Sequence, residues 1–116
     1  MTTFLGRHSE AEDHLADLDA QGLDVRVVTA GTDKESVLDG FATGLELPTW
    51  FGRNWDALLD ALRDLDAARG RTGIALVWDH TLALRDGDRA TYRTVLDVLE
   101  QVEDEREDLW VTVINR

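Results

Sequence analysis

Ile74-Ala75-Leu76-Val77-Trp78 is the longest uninterrupted apolar run in the chain. An apolar run with no polar alternation describes a strand covered on both faces, as in a parallel sheet flanked by helices. Gly70-Arg71-Thr72-Gly73 forms a turn before it. Working outward, residues 23–30 (LDVRVVTA) are rich in β-branched side chains and read as a strand, as do residues 109–114 (LWVTVI). Helical patterns lie between. Thr32 or Asp33 caps a helix carrying Ser36, Val37, Phe41 and Leu45, which Pro48 ends. Residues 54–65 form a second helix, and residues 79–85 allow one helical turn or two. Asp88 caps a long helix to about Glu105, with Tyr92, Val95, Leu96, Leu99 and Val102 on one face.

Strands separated by helices imply right-handed crossovers. The expected fold is α/β, a small three-stranded parallel sheet packed with about four helices, plus an extra N-terminal helix. That extra helix is residues 9–20 (SEAEDHLADLDA), with Ser9 as N-cap, Glu12 completing a capping box and Gly22 as the stop. Its apolar residues are few: Ala11, Leu15 and Leu18 share one face. Residues 1–22 are therefore expected to be a helical extension on the edge of a domain formed by residues 23–116.

At 116 residues the chain has the size of one domain. Its 24 acidic residues against 12 basic ones give a net charge of -12. That sign opposes nucleic acid and anionic membranes, and it suits basic partners or simple solubility. With no cysteine there is no disulfide, thiolate zinc site or cysteine nucleophile. His8, His14 and His80 form no HxxH or HxxxH pair and read as surface histidines. No apolar run is long enough to span a membrane, and the first residues lack the segments of a signal peptide, so a cytoplasmic protein is expected.

The densest information lies in residues 47–65, LPTWFGRNWDALLDALRDL. Starting a helix at Asn54 and stepping about 100° per residue places Leu58, Leu62 and Leu65 together as a core stripe. Asp56, Asp60 and Asp64 fall on the opposite side at i, i+4 and i+8, with Trp55 and Leu59 on the border. Each like-charge i, i+4 pair costs a helix about 0.2–0.5 kcal/mol. The helix dipole favours Asp56 in the first turn but not Asp64 near the end, and Arg53 and Arg63 are near enough to relieve part of the repulsion. Either a solvated face or an interface accounts for such a ridge. Trp50, Phe51 and Trp55 crowd the preceding loop, and aromatics beside carboxylates are an interface composition. Phe51 and one tryptophan could equally serve the core. Pro48 stiffens the loop and Gly52 permits a tight or positive-φ turn, which pre-organises a binder.

Leu47-Pro48-x-Trp50-Phe51-Gly52-x-Asn54-Trp55-Asp56-Ala57-Leu58-x-Asp60-x-Leu62 resembles the signature loop and second helix of the barstar family, inhibitors of secreted bacterial ribonucleases. The similarity extends more weakly over about residues 25–114. The resemblance implies that this helix and loop plug a nuclease active site. Asp60 would take the place of the scissile phosphate, with Asp56 as its acidic neighbour. Trp50 would pack on an active-site imidazole, and Asn54 and Gly52 would give backbone contacts. It further implies a one-to-one complex with a basic nuclease, no catalysis, no cofactor, no metal and a monomeric free state.

Three positions depart from the family pattern. Leu59 replaces an aromatic, a loss for which Trp55 could compensate. Asp64-Leu65 stands for a Gly-aromatic pair. The acidic contact from the last helix aligns with Gln101 or with Glu103, depending on the end counted from. The expected partner-facing set is thus Trp50, Gly52, Asn54, Trp55, Asp56, Leu59, Asp60 and Asp64 with Gln101 and Glu103, and the departures leave the target open to another ribonuclease or basic toxin. A barstar-like adaptor for some other partner remains an alternative. A metal-dependent hydrolase using Asp56, Asp60 and Asp64 as oxygen ligands is a further one, but carboxylates on one helix face do not converge, and no histidine or lysine accompanies them. A receiver domain shares the α/β alternation, yet Thr29-Ala30-Gly31 stands where its acidic pair would follow the first strand.

Overall fold

A computed structural model of the chain describes residues 2–6 and 8–116, the side chains of His8 and Ser9 excepted. The elements are β1 (Thr3–Leu5), α1 (His8–Ala20), β2 (Asp24–Thr29), α2 (Lys34–Gly44), α3 (Trp55–Arg63), β3 (Ile74–Asp79), α4 (Leu82–Gly87), α5 (Arg89–Glu105) and β4 (Leu109–Ile114). The sheet is parallel, in the order β1-β4-β3-β2. All six residues of β3 are buried, as the unbroken apolar run requires.

The sheet has four strands, not three. Thr3-Phe4-Leu5 pairs with Thr112-Val113-Ile114 along the edge of β4. Three residues, two of them exposed, carry no alternation to read. Their extended form depends on a strand at the far end of the chain.

Crossover handedness fixes where the helices lie. From β2 through β3 to β4 the chain steps one way, so right-handed connections put α2 to α5 on one face. From β1 to β2 it steps back across the sheet, which puts α1 on the other. Side chains follow suit. Ile74, Leu76 and Trp78 join Phe41, Leu58 and Leu99 in the main core. Ala75 and Val77 join Ala11, Leu18 and Leu23 in a smaller cluster under α1. The N-terminal helix thus covers a sheet face, instead of sitting at the edge as anticipated, and β1 takes the edge. Because α1 begins at His8, Ser9 lies within the helix and does not precede it, and its side chain falls outside the described residues.

The first open capping choice falls to Asp33, which accepts from Ser36 N at 2.8 Å while Ser36 Oγ accepts from Asp33 N. Gly40 and Gly44 in α2 cost roughly 1 kcal/mol each relative to alanine. Their use is close approach: a Cβ on Gly40 would stand 2.6 Å from Thr29 O, and one on Gly44 3.2 Å from Val27 O. Without them α2 could not lie against β2, the sheet's other edge strand. Among the described residues no helix is long and apolar enough to cross a membrane.

Candidate protein interface

The segment joining α2 to α3 is built by two local devices. At the end of α2, Glu46 N donates to Thr43 O at 3.3 Å and Leu47 N to Ala42 O at 2.9 Å. This is a Schellman turn, and its left-handed position is Glu46, with φ 53°. After Pro48 the chain turns again, Phe51 N bonding Pro48 O at 2.9 Å and Asn54 N bonding Gly52 O at 2.6 Å. Asn54 then caps α3, its Oδ1 accepting from Ala57 N at 2.8 Å. Of the two options open to Gly52, a tight or a positive-φ turn, it takes the first and has no positive φ. A Cβ there would meet Asn54 Nδ2 at 3.5 Å and Ala57 Cβ at 3.7 Å, ordinary contact. The reversal is made at Glu46, which spacing alone does not single out.

These turns send neighbouring aromatics opposite ways. Phe51 is buried in the main core, whereas Trp50 is 83% exposed. Trp55 is half-buried, with Lys34 Nζ 5.6 Å from its ring centroid, a cation–π distance. Leu58 and Leu62 are fully buried, Leu59 is half-buried, and Asp56, Asp60 and Asp64 are exposed. The helix is shorter than expected. It ends at Arg63, so Asp64 is its C-cap and Leu65 lies beyond it. Arg53 bonds Asp39 of α2 and does not serve Asp56. Between the loop and α3 opens a groove of about 390 Å³, lined by Leu47, Pro48, Trp50 and Leu65 with the carboxylates of Asp60 and Asp64. Gly52 also lines it. Asn54, Trp55, Asp56 and Leu59 lie along α3 outside that lining.

Residues 23–114 match the family model described as Barstar (barnase inhibitor). The chain belongs to the barstar family. No curated protein matches it. The family's description is that of an inhibitor, a protein that acts by binding and not by turnover. The barstar match spans β2 to β4 and takes in the whole groove; β1 and α1 precede it.

In this barstar-family chain α5 holds its two candidate residues apart. Glu103 Oε2 accepts from Val111 N at 2.7 Å and Oε1 from Thr2 Oγ1 at 2.8 Å, so it faces β4. The bond to Val111 comes one residue before β1 begins to pair with β4. Gln101 turns toward α3, its Nε2 donating to Glu105 Oε1 at 3.2 Å. Glu105 in turn bonds Arg63 of α3 at 2.7 and 2.8 Å. The Arg63 guanidinium, helped by the Gln101 amide, pulls the Glu105 carboxyl from 4.5 down to about 2. Arg63 is itself raised, chiefly by its bond to Glu105.

Sequence reasoning missed Arg106. From the end of α5 its Nη1 donates to Leu65 O at 2.7 Å and Leu62 O at 2.8 Å. It thereby satisfies carbonyls that the C-terminus of α3 leaves unpaired, and places a cation where the helix dipole is negative. Among the described residues no group of His, Asp and Glu is arranged to hold a metal ion.

Proposed function

We propose that this protein inhibits a basic ribonuclease, inserting α3 and the loop before it into the enzyme's active site. The observation that carries this is Trp50, 83% exposed next to a buried Phe51 on a loop held by two turns and bordering carboxylates. A tryptophan held out in water is a large apolar surface awaiting cover, and tryptophan is enriched among the residues that dominate binding energy. A nuclease site is built for an anion, and a carboxylate accepts an arginine fork in the geometry of a phosphate. Asp60 takes the phosphate position, Asp56 and Asp64 extend the acidic face, and Trp50 packs on an imidazole. Gly52 and Asn54 offer backbone contacts, and Trp55 and Leu59 border the contact. The charge of -12 steers the encounter with a basic enzyme.

The complex is one-to-one, formed in the cytoplasm by a protein that is monomeric when free. The helix α1 takes no part in it, since it lies on the opposite sheet face. A second target class, a basic toxin other than a barnase-type ribonuclease, is favoured by Leu59 and by Asp64-Leu65 at the end of α3, where the family pattern differs. The test is inhibition of purified basic ribonucleases, barnase among them, at equimolar inhibitor. Stoichiometric loss of RNA cleavage supports the proposal. Full cleavage with every enzyme, and no complex by size exclusion, contradicts it.

A further inference from the structure

Arg63 stands between two acids. Its Nε and Nη2 form a fork on Glu105 at 2.7 and 2.8 Å, while Nη1 makes one longer bond, 3.4 Å, to Asp60 Oδ1. An arginine three residues after an aspartate on a helix is within reach of it. Bonded fully to Asp60, Arg63 would occupy the carboxylate that an incoming cation must use. Two-point, charge-assisted bonding favours Glu105 instead. Gln101 fixes that acid from one turn back at 3.2 Å, and the Asp60 side chain stays 75% exposed.

We propose that Glu105, braced by Gln101, is a positioning residue of the interface, keeping Arg63 from closing a full fork on Asp60 so that most of the Asp60 carboxylate is open to a guanidinium of the target. The inference rests on α3 being the partner-binding face. On this account both α5 residues act on binding through Arg63, without touching the target themselves.

The free protein tests the first half, with no partner needed. In carbon-13-labelled protein at neutral pH, Glu105→Ala moves the Asp60 carboxyl resonance as Arg63 turns to it, and adding Arg63→Gln abolishes the displacement. An Asp60 resonance indifferent to Glu105→Ala overturns the proposal whatever the target is. The second half uses barnase as probe. Glu105→Ala weakens binding about tenfold or more, as expected when a close charge pair is lost. The Arg63→Gln/Glu105→Ala double variant binds like Arg63→Gln alone. Asp104→Ala, the same charge change on the same helix, has a much smaller effect. An equal loss from Glu105→Ala with and without Arg63→Gln means that Glu105 touches the target, and the positioning role falls. Failure of the unaltered protein to bind barnase rejects that choice of target, and the carboxyl resonance then decides the role of Glu105 by itself.

Discussion

Arg106, at the end of α5, donates through Nη1 to the carbonyl oxygen of Leu62 at 2.8 Å, closing the C-terminus of α3 from a residue 44 positions away. The same guanidinium is held by Asp108 at 2.8 and 2.9 Å. The acidic helix is thus anchored at both ends, by Asn54 at the start and Arg106 at the finish. Arg106→Met leaves those carbonyls unpaired, and a loss of about 1–3 kcal/mol is expected in urea unfolding. An unchanged midpoint would show that water satisfies the helix end equally well.

Glycines separate two kinds of constraint. Gly40→Ala drives a Cβ to 2.6 Å from Thr29 O, so α2 must move off β2, at about 1–3 kcal/mol. Gly52→Ala meets only ordinary contacts and changes stability by less than about 0.5 kcal/mol. Thermal unfolding of the two variants side by side is the check, and equal shifts would contradict the packing described.

Glu46 holds a left-handed conformation that costs a non-glycine residue about 1–2 kcal/mol. Glu46→Gly removes the strain and adds some unfolded-chain entropy, so a net gain of roughly 0.5–1 kcal/mol is expected. Lower stability in urea would mean that the glutamate side chain contributes more than its backbone costs.

Acid weakens the fold. The Arg26 side chain bonds Asp24 and lowers its carboxyl below 3.8; burial opposes this, and the Ala68 N–H adds to it. Burial pushes Asp79 up, but bonds from Arg116 and the His80 N–H outweigh it and leave that carboxyl lowered too. Glu105 stands at about 2 against an ordinary 4.5. A carboxyl lowered on folding stabilises the protein above its unfolded value, and loses that contribution as pH falls through the folded one. Urea midpoints should therefore hold from pH 7 to 5 and fall between pH 4.5 and 2, with a shallower fall in Asp24→Asn. Identical slopes for Asp24→Asn and the unaltered protein would exclude the Asp24–Arg26 pair as a cause.

Much of this was legible in the sequence because it is local. The run Ile74 to Trp78, the cap at Asn54 and the Leu58–Leu62 stripe each depend on neighbours a few positions away. The motif from Leu47 to Leu62 carried the family. What stayed hidden depends on distant partners. Thr3–Leu5 becomes a strand only beside Thr112–Ile114. Arg63 and Glu105 meet across 42 residues. Gly40 and Gly44 look like poor helix residues until β2 lies against them. At Glu46 a left-handed turn is made by a residue that seldom makes one, while Gly52, free to adopt a positive φ, does not.

The central claim is that Asp60 and Trp50 form a binding site, as distinct from a diffuse negative charge. The most direct test is the dissociation constant of the ribonuclease complex for Asp60→Ala against Asp17→Ala, which removes the same charge from α1 on the opposite sheet face. Asp60→Ala should weaken binding far more than Asp17→Ala, by about a hundredfold or more if an arginine on the enzyme is left unpaired, with thermal stability unchanged or slightly raised. Equal, small losses for both variants would contradict the account and leave only bulk charge.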